Sequence, residues 1–173
     1  MKMAGFYDES ISNGLGWRAE LFVSGCPHNC PGCHNKIAQD YNYGEEFDEQ
    51  KIIARIKENS ILNGITISGG EPLCKENIAT GNKFIENVKK ERPELDVWCY
   101  SGYTFEQLQE RNDEITNETL KKIDVLVDGR FVEAKKNPEI KFRGSDNQRL
   151  LQVQECLKQH KIVELNIWLN KKD

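Results

Sequence analysis

The 173-residue chain lacks any run approaching the ~18 apolar residues that a membrane-spanning helix requires. Its opening, Met1 to Phe6, has no apolar core of the kind an export signal carries, so the expected location is the cytoplasm, away from any membrane. Basic excess is also lacking. The 24 Lys and Arg are outnumbered by 28 Asp and Glu, for a formal charge of -4 and a pI near 5.5. Nucleic-acid affinity is driven by clustered cations that displace counterions, so a nucleic-acid partner is not expected. There is no internal repeat, no low-complexity tract and no Pro- or Ser-rich linker, which favours one domain over residues 1–173. With 38% apolar and 30% charged residues and a mean hydropathy of -0.68, the composition is that of a globular chain with a well-solvated surface.

What the chain does have is six cysteines. In a reducing compartment they stay as thiols, and a metal or redox role comes before disulfides. Cys26, Cys30 and Cys33 fall within eight residues, whereas Cys74, Cys99 and Cys156 stand singly, as small buried hydrophobes do.

Short β-branched runs alternate with helical patterns. Strands are expected at Leu21–Ser24, Ile65–Ser68, Val97–Tyr100, Val125–Val127 and Val163–Trp168. Between them, Asp48–Asn59 places Ile52, Ile53 and Ile56 on one helical face, and Ile78–Glu91 does the same with Ile78, Ile85 and Val88. Thr104 with Gln107, and Ser145 with Gln148, fit the box in which a hydroxyl and an amide side chain satisfy orphan backbone N–H groups at a helix start; Leu150, Val153 and Leu157 follow the second at helical spacing. Alternating strands and helices imply parallel strands joined by crossovers. A closed eight-unit barrel takes ~250 residues. The chain is shorter, so an α/β fold built as a partial, open (β/α) barrel is expected, with a doubly wound open sheet as the alternative.

The run Cys26-Pro27-His28-Asn29-Cys30-Pro31-Gly32-Cys33 puts three soft ligands on a short loop directly after a strand. A [4Fe-4S] cube usually takes a cysteine at each iron, so three leave one iron open for chemistry. The same residues with His34 also suit a structural Cys3His zinc site, which would make the chain a non-catalytic interaction module.

Cys-x3-Cys-x2-Cys after a strand resembles the signature of the radical S-adenosylmethionine (radical SAM) superfamily, and Ser68-Gly69-Gly70-Glu71-Pro72 resembles its Gly-Gly-Glu-Pro segment. More finely, Asn13-Gly14-Leu15-Gly16-Trp17-Arg18, Cys33-His34-Asn35, Trp98-Cys99-Tyr100-Ser101-Gly102-Tyr103-Thr104, Asp124 to Phe131 and Phe142 to Arg149 resemble, in order, motifs of the activating enzymes of anaerobic (class III) ribonucleoside-triphosphate reductases. Cys99 departs from the apolar residue expected at its position. The resemblance implies a radical SAM-type open barrel. It also implies a [4Fe-4S] cluster on Cys26, Cys30 and Cys33, and reductive cleavage of S-adenosylmethionine to a 5′-deoxyadenosyl radical. The radical would be passed to a glycine of the partner reductase, with a flavodoxin or ferredoxin as electron donor. An activase of another glycyl-radical enzyme, or a small metabolite-modifying radical enzyme, shares the triad.

The expected strands place the cysteine loop, Gly69-Gly70-Glu71, Ser101-Gly102-Tyr103 and Asp128-Gly129 all at strand carboxyl ends, where (β/α) active sites collect. Two glycines let backbone approach a ligand, and anionic Glu71 suits an ammonium group. By the resemblance, Gly69, Gly70 and Glu71 bind the methionine part of the cosubstrate, Asp128 accepts from the ribose hydroxyls, and Ser101 is a polar neighbour. His34, Asn35, Arg130 and Arg143 are secondary candidates; the two arginines are suited to the carboxylate or to the partner protein. No side-chain acid or base is needed for hydrogen-atom abstraction.

Overall fold

The computed structural model describes residues 1–167. Its strands are β1 (Lys2–Ser10), β2 (Arg18–Val23), β3 (Glu45–Glu46), β4 (Gly64–Gly69), β5 (Asp96–Tyr100), β6 (Val125–Asp128) and β7 (Arg149–Gln152), in the spatial order β3-β1-β2-β4-β5-β6-β7. β2, β4, β5 and β6 are parallel; β1 and β7 run antiparallel to their neighbours. The outermost strands remain unpaired with each other, so the sheet is open. The helices are α1 (Glu49–Glu58), α2 (Ile78–Glu91), α3 (Phe105–Glu110), α4 (Glu114–Leu120) and α5 (Val153–Gln159). None of the described helices is long and apolar enough to cross a membrane.

Strand alternation divides the sheet into two unlike faces. Ala19, Leu21, Val23, Ile65, Ile67, Val97, Cys99, Leu126 and Leu151 point to one side and form a core with residues of all five of these helices, among them Ile52, Phe84, Leu108, Leu120 and Cys156. A doubly wound sheet has helices on both faces, so that alternative is not met. The opposite face carries the other register: Trp98, Val125, Val127 and Leu150, joined by Phe142, Leu165 and Ile167 from irregular segments.

The helix starts follow from local chemistry. Asp48 caps α1 by accepting from the Lys51 amide, and Thr104 and Gln107 form the expected reciprocal box at α3. Ile78–Glu91 is helical over the expected span. Three elements correct the sequence reading. Ser145 and Gln148 start no helix: the Gln148 Oε1 accepts from the Ser145 amide, but the Ser145 hydroxyl accepts from Val132 and the chain then extends as β7. Leu150 is therefore a strand residue, and the helix begins at Val153. The strand expected over Val163–Trp168 is a single bridge from Glu164 to Leu151, and Trp168 lies outside the described residues. Strand β1 and helix α4 were not anticipated at all.

Arg18 anchors the helix-free face. It is fully buried, and its guanidinium donates to Thr66 Oγ1 at 2.7 Å, Leu15 O at 3.0 Å and Ile65 O at 2.6 Å. Asp96 lies 2.5 Å away, and the Trp98 ring sits beneath at 5.3 Å. Removing one partner from such a buried set strands the others away from water. Arg18→Ala is expected to lower unfolding stability by about 3 kcal/mol, read as a shifted urea midpoint.

Candidate functional site

The carboxyl ends of the parallel strands open into one cavity, continuous with solvent. Its wall brings together Cys26, Cys30 and Cys33 with Gly69, Gly70 and Ser101. His34, Asn35 and Arg130 also line it. These segments meet because backbone bonds lace the loops together. Gly70 donates to Val23 O at 2.7 Å, Glu71 to Gly25 O at 2.8 Å, and Gly25 in turn to Ala38 O at 2.8 Å. Gly69 has φ +101°, and a Cβ on it would lie 2.5 Å from the Val23 carbonyl oxygen, so only glycine permits this close turn.

The three cysteines are free thiols, each partly exposed. Burial pushes the Cys26 thiol up to about 11, with the charge of Glu71 and the neighbouring thiols adding to it; burial also raises Cys30. Thiols of this kind become thiolates only when a cation pays for the charge. They share a wall and do not converge on a point: no group of three or more His, Cys, Asp or Glu among the described residues could hold a single metal ion. A cube with iron at every corner takes its thiolates at separate corners, so the donor set fits a cluster.

Glu71 lies behind the wall with a fully buried side chain. Its Oε1 accepts from the Leu73 amide at 2.9 Å and the Ser101 hydroxyl at 2.8 Å; its Oε2 accepts from the Gly102 amide at 2.7 Å and from His28 Nε2 at 2.7 Å. Two carboxylate oxygens offer about four lone-pair sites, and all are taken.

The profile of the family described as a 4Fe-4S single cluster domain matches residues 12–151. An anaerobic ribonucleoside-triphosphate reductase-activating protein of Haemophilus influenzae is 40% identical over 147 residues, 83% of this chain and 92% of the relative. Proteins of the same name from Escherichia coli K12 and Enterobacteria phage T4 are 39% and 38% identical, each over 83% of this chain and covering 93% and 89% of the relative. This chain belongs to the family of anaerobic ribonucleoside-triphosphate reductase-activating proteins.

Within this family member, three residues expected at the site stand outside the cavity lining: Glu71, whose oxygens are taken by the chain's own donors, Asp128 and Arg143. Asp128 is buried outside the cavity lining; it accepts from Arg149 Nε at 2.9 Å, from Arg149 Nη2 at 2.5 Å and from the Phe105 amide at 2.8 Å. Its carboxylate thereby ties β6 to the start of α3 and to β7, and the side chain expected at the ribose is not part of the cavity lining. Arg143 donates to Gln148 O at 3.1 Å and lines a separate cavity beside Leu150 and Glu164. Cys99 is packed in the core, as its small apolar character suits. Sequence reading places His28 in the loop or behind the ligands rather than among them, and does not single out Asn77, whose buried amide donates to Ser24 O at 2.9 Å and Glu71 O at 3.1 Å. The only local signal for His28 is its place between two of the three cysteines.

Arg149 also holds Glu106, whose carboxyl it draws down to about 2. A carboxyl lowered on folding stabilises the fold above its unfolded value of about 4.3, and that contribution is lost as pH falls toward 2. Glu106→Gln is therefore expected to be less stable than the native chain at pH 7, with the difference fading between about pH 5 and 2 in acid-unfolding curves.

Proposed function

We propose that Cys26, Cys30 and Cys33 hold a [4Fe-4S] cluster with one iron left open for S-adenosylmethionine, and that the chain uses it to place a glycyl radical on an anaerobic ribonucleoside-triphosphate reductase. The observation that carries this reading is the gathering of three thiols and the Gly69-Gly70 backbone around one open cavity. The open sheet, with helices on one face only, is consistent with a partial barrel of the radical SAM type in a single domain.

When bound and reduced, the cluster supplies the electron that cleaves the cosubstrate to methionine and a 5′-deoxyadenosyl radical. The chain's own task is positioning. The cysteine loop would hold the cluster beside the Gly69-Gly70 turn, whose missing side chains let that turn pack against the Val23 and Gly25 carbonyls at the cavity wall. Ser101 and Arg130 border the cavity, and Arg130 is exposed at its rim, where a cation suits a carboxylate. Glu71 acts from behind by setting the Ser101 and Gly102 wall. The cavity is open to solvent, so a peptide loop of the reductase's glycyl-radical subunit has a route in. A low-potential flavodoxin or ferredoxin in the cytoplasm serves as donor.

Anaerobic reconstitution is expected to give brown protein with about four iron and four sulfide per chain. Alanine at any one of the three cysteines abolishes cosubstrate cleavage, measured as 5′-deoxyadenosine formed. Mixed with reductant, S-adenosylmethionine and the reductase, the native protein yields a glycyl radical by electron paramagnetic resonance. Zinc without labile sulfide, or a triple Cys→Ala variant that still cleaves the cosubstrate, overturns the reading.

A further inference from the structure

His28 stands between two of the three thiol residues and lines the same cavity, but its side chain is held close to the wall. Pro27 and Asn29 on either side are exposed, while the His28 side chain is 3% exposed. It turns inward to donate from Nε2 to Glu71 Oε2 at 2.7 Å, and its ring packs edge-on against Tyr103 at 4.4 Å. Tyr103 is covered in turn by the Arg111 guanidinium at 4.2 Å, and Arg111 donates to Leu73 O at 2.7 Å. The Leu73 amide returns to Glu71 Oε1, so the contacts close into a ring. Gly102 makes space for it: a Cβ there would lie 2.4 Å from His28 Cδ2 and 2.6 Å from Nε2.

We infer that His28 is a positioning residue that clamps the cysteine loop to the Gly-Gly-Glu turn and the Ser101–Tyr103 loop, setting where the thiols stand relative to the cosubstrate wall. The inference rests on the cluster reading above for its consequence, but the clamp itself is built from the chain's own groups. The loop has few other ties. Among the described residues its backbone bonds fasten it at Gly25 and Cys26, with a local turn from Cys33 to Cys30, and the Phe131 backbone reaches the Cys30 thiol. Between those points the histidine is the inward anchor. A buried charge-assisted hydrogen bond backed by an aromatic contact is strong enough to select one loop conformation.

The test compares the native chain with His28→Ala, His28→Gln and Gly102→Ala. Glutamine keeps a donor at a reach similar to Nε2, and Gly102→Ala displaces the ring without removing a polar group. In cluster-free protein, amide exchange over residues 26–33 is expected to quicken about tenfold in His28→Ala and Gly102→Ala, with β4 and β5 unchanged and His28→Gln close to native. In reconstituted protein, iron and sulfide are retained in His28→Ala. The cosubstrate-induced change in the reduced-cluster paramagnetic spectrum then requires about tenfold more S-adenosylmethionine. Native exchange and native titration in both weakened variants overturn the clamp, as does faster exchange spread evenly through the sheet, which marks a general stability role. A native chain that takes up no iron and sulfide overturns the cluster reading instead, and the cluster-free exchange still decides the clamp.

Discussion

The buried carboxylate of Glu71 is the constraint on which the site depends. An ion wholly removed from water is tolerated only when its lone pairs are met, and here the donors come from three loops that are far apart in sequence. Because the carboxylate demands all of them, it fixes the relative places of the cysteine loop, its own turn and the loop after β5. Asn77 reinforces the knot by holding the Glu71 and Ser24 carbonyls together. The geometry of the thiols is thus set from behind, by groups that need touch neither metal nor ligand.

A second ionic knot, Asp128 with Arg149 and Glu106, performs the same service on the far side of the cavity. It joins the end of β6 to α3 and β7, and Gly129, Arg130 and Phe131 continue from it into the cavity wall. Acidic residues that a motif reading assigns to ligands are here the rivets of the frame. The residues left to face the cavity are mostly thiols, glycine backbone and small polar groups, in keeping with a site whose chemistry belongs to a cofactor.

Local features were legible in the sequence and long-range ones were not. The span of α2 and the Thr104–Gln107 box are set by residues within a few positions of one another, and both appear. The parallel strands were found to within a few residues because they are fully buried and rich in branched side chains. Strand β1, Lys-Met-Ala-Gly-Phe-Tyr-Asp-Glu-Ser, has no β-branched residue and owes its conformation to pairing with β2. Strand β7 was misread because Leu150 falls in helical phase with Val153 and Leu157, and only its pairing with β6 distinguishes the two. At the site, the gathering of the triad was legible because its spacing is local. The saturation of Glu71 and the anchoring of Asp128 are hidden, since His28, Gly102 and Arg149 reach them across tens of residues.

An open sheet leaves two free margins, and a free margin is a template on which another chain can add a strand. On one side that margin starts with β3, merely Glu45 and Glu46, both exposed, which covers only Lys2 and Met3 of β1. So short and so acidic an edge repels its like and offers too few backbone groups for a foreign strand to zip along. Where β3 lies, the architecture that keeps the cavity mouth wide thus offers little on which a foreign strand could build.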